Sequence, residues 1–188
     1  MAIKATVYKA HVQIADMDRG LYADHALTLA RQPSETDERM LMRVLAFALQ
    51  VPADDHDGAL TLARGMADAE EPDLWQKSLA GEMRHWIEVG QPEERRITRA
   101  CGRAERVTLY IYSSASSIWW AALSGKLSRL ANLQVWQVPA AQSQALAALA
   151  ERSMQLQVTV QEGSVWVGNG RADSVEIQPV LLHGTPRR

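Results

Sequence analysis

The chain has 188 residues, 47% of them apolar and 22% charged, a mix that fits one folded globular core and excludes intrinsic disorder or a fibrous repeat. A formal net charge of −2 excludes a generally basic nucleic-acid coat, so any nucleic-acid contact must come from a local patch. Apolar stretches such as those around 45–49 and 107–111 fall far short of the roughly 20 residues a spanning helix needs.

The opening Met1-Ala2-Ile3-Lys4-Ala5-Thr6 has neither the apolar centre nor the cleavage site of a secretion signal. The expectation is a cytoplasmic protein with no membrane association and a single compact domain over 1–188. Residues 3–14 alternate and change parity near Val7, which predicts a long strand with a bulge there. Turn chemistry at Asp16-Met17-Asp18-Arg19-Gly20 then leads into a second strand over 21–31, completing a hairpin that ends at Pro33.

Ser34 is a candidate cap for a helix running to about Leu49, with acids in its first turn and Leu41, Val44, Leu45 and Ala48 as its buried stripe. Helical spacing puts Glu38 on that inward face. Short strands are predicted at 60–64, 73–78 and 83–89, and a helix from Pro92 to about Gly102. A strand at 107–112, a helix at 116–126 with Trp119 and Trp120, a strand at 133–138 and a helix at 140–151 follow. The chain closes with strands at 154–160, 165–168 and 175–180, turning at Glu162-Gly163 and Asn169-Gly170, and a frayed tail of eight residues. The fold class is α/β or α+β, a mixed sheet flanked by about four helices.

Several chemistries are excluded. Cys101 is the lone cysteine, so neither an intrachain disulfide nor a thiolate zinc site can form. His11, His25, His56, His85 and His183 include no pair at metal-ligand helical spacing. There is no Gly-x-Ser-x-Gly elbow, Ser124-Gly125-Lys126-Leu127-Ser128 is not a phosphate loop, and Gly168-Asn169-Gly170 reads as a hairpin turn.

The informative stretch is 72–103. Pro72-Asp73 opens one short strand, and Glu88 lies fifteen residues later, at the end of another. Carboxylates at comparable ends of adjacent strands suit a hard divalent cation such as Mg²⁺ or Mn²⁺, which would polarise a phosphate and activate water. Glu38 would be a third acid. Plainer roles are also open: Asp73 as a turn or cap residue, Glu88 paired with Arg84 or with the Gly90 amide, Glu38 paired along its own helix, and the tryptophans as core.

The order of helix with Glu38, two strands, Ile87-Glu88-Val89-Gly90, helix and strand resembles the core of the PD-(D/E)XK nuclease superfamily, placed at about 34–112. The whole chain resembles the YaeQ family, whose fold carries a variation of that core. The segments that carry this are Lys4 to Ala10, Leu27 to Thr36 leading into Glu38-Arg39-Met40, Trp86 to Gly90 with Pro92 to Arg96, and Ile118-Trp119-Trp120. The resemblance implies Asp73 and Glu88 as metal ligands, with Glu38 and Arg96 assisting catalysis. The motif's lysine is missing, because Glu88 is followed by Val89 and Gly90. Arg95, Arg96 and Arg99 on the next helix, or Gln91, are the substitutes for phosphate binding. An arginine can hold phosphate but cannot accept a proton. Two functions follow as expectations: a metal-dependent nuclease or phosphodiesterase, and a noncatalytic nucleic-acid-binding or transcription-associated regulator. A purely structural partner protein would instead show an apolar patch near Trp119 and Trp120.

Overall fold

The computed structural model describes residues 4–186, so the predicted strand start at Ile3 lies outside the described residues. Strand β1 (Thr6–Asp16) and strand β2 (Leu21–Arg31) form the expected hairpin, paired without interruption from Thr6 opposite Arg31 to Asp16 opposite Leu21. The predicted bulge is therefore absent. Ala10, Val12 and Ile14 face the core, and Val7, which suggested the parity change, lies on the opposite face, 50% exposed.

The expected single mixed sheet is two. In the first, β8 (Ser153–Gln161) runs parallel to β1 and is followed by β9 (Ser164–Gly168) and β10 (Ser174–Ile177), giving the order β10-β9-β8-β1-β2. The second contains β3 (Leu60–Leu62), β4 (Leu74–Lys77), β5 (Met83–Val89), β6 (Arg106–Tyr112), β7 (Leu133–Val138) and β11 (Val180–His183) in the order β11-β7-β6-β5-β4-β3. Strands β5, β6 and β7 are parallel. The predicted strand at 175–180 divides because Pro179 offers no N–H to a ladder. Beyond it the chain changes sheets, and part of the tail expected to fray pairs with β7, Leu181 opposite Trp136.

Between the sheets lies helix α1 (Asp37–Gln50), in which every residue from Met40 to Ala48 is buried. A helix covered on both sides needs apolar residues around its whole girth, and Met42, Ala46 and Phe47 complete the predicted stripe. Its cap is Thr36, not Ser34: Arg39 N donates to Thr36 Oγ1 at 3.1 Å. At the other end Arg19 donates to the carbonyls of Ala48 and Val51.

Helices α2 (Glu94–Arg103) and α3 (Ser116–Leu127) cover the outer face of the second sheet over a core of Trp86, Ile97, Val107, Leu109, Leu127 and Val135. Helix α4 (Ala140–Ala147) packs on α1. Among the described residues no helix is long and apolar enough to cross a membrane.

Candidate functional site

Asp73 immediately precedes β4, and its backbone N–H donates to Ile87 O at 3.1 Å, which fastens it against β5. Its side chain continues the attachment, accepting from Val89 N at Oδ2 at 2.8 Å. Arg39, from α1, donates from Nη2 to the same Oδ2 at 3.0 Å and to Val89 O at 3.2 Å. The other oxygen, Oδ1, lies 2.8 Å from Arg39 Nη2 but off its N–H directions, and is buried with no hydrogen bond. The chain crosses this oxygen closely at Gly65, where φ is +52° and a Cβ would stand 2.6 Å from Oδ1. A side chain is excluded there on both counts.

Strand alternation sends Glu88 to the opposite face of the sheet, beside Trp86 and under α2. Trp86 Nε1 donates to Glu88 Oε1 at 2.8 Å, and Arg96 Nε reaches Oε1 at 2.7 Å and Oε2 at 2.8 Å. Arg96 also donates from Nη2 to Glu71 O at 2.8 Å and from Nη1 to Ala69 O. Burial raises the Glu88 carboxyl above its ordinary pKa, while the Arg96 and Trp86 bonds hold it down in part. Asp73 and Glu88 thus reach, from two faces of the sheet, one cleft of about 350 Å³ that Gly90 and Gln91 also line.

A third buried acid was not among the candidates. Glu35, just before α1, is 3% exposed and accepts from Arg43 Nε and Nη2, both at 2.8 Å, and from Arg39 Nη1 at 3.1 Å. Arg39 therefore bridges Glu35 and Asp73. Burial disfavours its charge, but the two carboxylates outweigh that and raise its pKa. The spacing Glu35, Arg39, Arg43 is the signal that would have found this cluster, an acid followed by cations four and eight residues on.

The remaining predicted site residues, apart from Gln91 on the cleft wall, lie elsewhere. Glu38 faces inward as expected but accepts from Ser143 Oγ of α4 at 2.6 Å. Gln91 Nε2 donates to Ser113 Oγ at 3.0 Å and Ser116 Oγ at 3.3 Å, joining the ends of β5 and β6. Arg99 and Arg103 share the carboxylate of Glu70, at 3.1 and 3.2 Å. Arg95 is exposed and, with Thr98, Arg99 and Arg129, lines an open groove beside Glu93 and Glu94. The suggested Arg84–Glu88 pair does not form, since Arg84 binds Glu82 and Glu105. The Gly90 amide goes to Tyr110 O instead of to Glu88.

Gly90 stands where the expected acid-x-Lys pattern would place its lysine. Its φ is +104°, a conformation open to glycine and strained for any side chain. A lysine at this position would have to adopt that strained backbone conformation.

Residues 1–179 match the family model described as YaeQ protein. The chain belongs to the YaeQ family. It is 44% identical to the protein described as uncharacterized protein YaeQ of Salmonella typhi, over 95% of this chain and 96% of that one. The Escherichia coli K12 relative of the same description is 42% identical over 91% and 92%. The crystal structure of YaeQ protein from Xanthomonas axonopodis pv. citri superposes with a TM-score of 0.89 at 41% identity, covering 96% of this chain and 99% of that one. The corresponding structure from Pseudomonas syringae gives 0.86 at 36%, over 96% and 97%.

For this YaeQ family member the chemistry of the cleft follows from its donors. Glu88 has both oxygens engaged by one guanidinium, and Asp73 shares its charge with another. A divalent cation needs several oxygen ligands together. Among the described residues, no group of three or more His, Cys, Asp or Glu side chains is placed to hold one. As arranged, the acids fit guanidinium partners and do not fit a resident ion.

Proposed function

We propose that this YaeQ family protein is a noncatalytic nucleic-acid-binding protein, one that keeps the acid pair of a PD-(D/E)XK-like core as a structural clasp. The observation that carries the reading is the occupation of both acids by arginines from other elements, Arg39 on Asp73 and Arg96 on Glu88. Glu35, Asp73 and Glu88 are matched by Arg39, Arg43 and Arg96, so the cluster has no formal excess of negative charge to attract a divalent cation. Gly90, in place of a lysine, supports the same reading.

Nucleic acid is met at α2. Arg95 and Arg129 make no ion pair among the described residues and flank one groove with Arg99. They are the cations on this face available to phosphates. Each phosphate contact adds to the salt dependence of binding. The test is fluorescence anisotropy with labelled 20-mer DNA and RNA, single- and double-stranded, across a salt series. The expected result is salt-sensitive binding that Arg95→Glu with Arg129→Glu weakens at least tenfold, without cleavage. Binding unchanged by the double reversal, or no binding to any of the four probes, overturns it.

One observation favours a second reading, a Mg²⁺- or Mn²⁺-dependent nuclease or phosphodiesterase. The buried Oδ1 of Asp73 has no hydrogen bond, and it belongs to the cleft that Glu88 also lines. That reading requires Arg96 to release Glu88.

A further inference from the structure

Helix α1 ends at Gln50, and beyond its last turn the two sheets enclose a cavity of about 650 Å³, far from the acid pair along α1. Leu49, Val51, Val160 and Val165 supply apolar wall, while Tyr110 and Trp136, direct partners across β6 and β7, face it from the second sheet. A size of this order and a mostly apolar lining with a few convergent polar groups are what small-molecule sites have.

Three of the polar side chains contributed by the second sheet, those of Trp136, Tyr110 and Arg106, carry donors. Trp136 Nε1–H is buried with no acceptor, an arrangement rare enough in folded proteins to need a cause. Tyr110 Oη accepts from Gln50 Nε2 at 2.6 Å, so its own proton must be donated elsewhere. Burial pushes the Tyr110 hydroxyl up to about 12, which keeps that proton in place at neutral pH. Arg106 brings a guanidinium to the same wall, with Nη2 donating to His85 Nδ1 at 2.8 Å. Because a guanidinium can only donate, His85 Nδ1 is the acceptor, and its Nε2–H is the end that meets Thr108 Oγ1 at 2.8 Å. Of the acids that line the cavity, Asp16 is neutralised by Arg19 at 2.6 Å, Asp18 has one oxygen accepting from Glu162 N at 2.7 Å and the other from Gly163 N at 2.9 Å, and Asp57 is exposed at the rim.

We infer that this cavity binds a small organic carboxylate, its apolar body held between the sheets and its oxygens accepting from Trp136 Nε1, Tyr110 Oη and Arg106. The site is separate from the arginine groove of α2 and does not depend on the nucleic-acid reading.

The test uses 2-naphthoate as probe and 2-methylnaphthalene as its uncharged counterpart, titrated into the ¹⁵N-labelled full chain and followed at the indole N–H signals. Trp136→Phe removes one N–H and assigns its signal, and the five other tryptophans are internal controls. The site predicts saturable one-to-one binding of naphthoate that shifts the Trp136 signal. A lost hydrogen bond to a charged acceptor should weaken binding about tenfold in Trp136→Phe, and methylnaphthalene should bind at least tenfold less well. Tyr110→Phe gives a second reading at the same site if the tryptophan variant unfolds. No saturable binding, a Trp136 signal that stays in place, or hydrocarbon binding equal to carboxylate overturns the inference.

Discussion

Arg96 lies across the Glu88 carboxylate with Nε within 2.8 Å of both oxygens, while its two terminal nitrogens hold the carbonyls of Ala69 and Glu71. One side chain thus ties α2, the end of β5 and the loop before β4 together. The strength of that tie depends on the charge of a buried acid.

Arg96→Met therefore has a pH-dependent cost. Burial places the folded-state pKa of Glu88 above the ordinary glutamate value of 4.5. In that window the folded state holds more protons than the unfolded state, so stability falls as pH rises through it. Removing Arg96 raises the folded-state pKa further and extends the loss toward neutral pH. We expect the variant to be about 3 kcal/mol less stable at pH 8, the lower end for breaking a buried pair. The deficit should shrink at pH 5. Urea unfolding of both proteins at the two pH values checks this, and a deficit that grows as pH falls contradicts it.

Glu35 anchors two guanidinium groups at once. Glu35→Gln keeps the shape and removes the charge that Arg39 and Arg43 share. A loss of about 3 kcal/mol is expected, since cations are left buried without their acid. Arg43→Met in the same background should cost much less than it does in the parent chain. A double-mutant cycle by denaturant unfolding measures the difference.

Gly90→Lys supplies the lysine that a PD-(D/E)XK pattern would have at this position, but on the same backbone. At φ +104° the side chain should cost about 1–3 kcal/mol, and no metal-dependent cleavage of DNA or RNA should appear. Gly90→Ala should show most of the same cost, because the strain comes from the Cβ.

Cys101 is half-buried, and burial pushes its thiol up to about 11. The thiolate is the reactive species, so at pH 8 a disulfide reagent such as DTNB should modify it slowly in the folded protein and rapidly in urea. Fast reaction of the folded protein would show a more exposed or more acidic thiol.

Local chemistry made most elements legible. Turn residues at Asp16 to Gly20 and the alternation around them marked the β1–β2 hairpin, and β5 and β7 have the bounds their patterns predict. The division into two sheets was not legible, because alternation records which face of a strand is buried and not which sheet it joins. Nor does alternation distinguish the real ladder at Val7 from a bulge. At the site, the two acids do line one cleft, and Glu38 does face inward. Their partners were hidden by sequence distance: Arg39 meets Asp73 across thirty-four positions and Ser143 meets Glu38 across 105. Glu35 was legible in the spacing of Arg39 and Arg43, but its position before the helix start suggested a dipole role, not a buried centre.

Arginines close the acid pair, Arg39 on Asp73 and Arg96 on Glu88. Calorimetric titration of the full chain with Mn²⁺ at pH 7.5, in parallel with Asp73→Asn and Glu88→Gln variants shown by circular dichroism to be folded, tests it most directly. No saturable binding tighter than about 1 mM is expected, a millimolar Kd being only about 4 kcal/mol, and the traces should not differ among the three proteins. Stoichiometric Mn²⁺ binding to the parent chain that either variant abolishes would contradict it and establish the acids as a metal site.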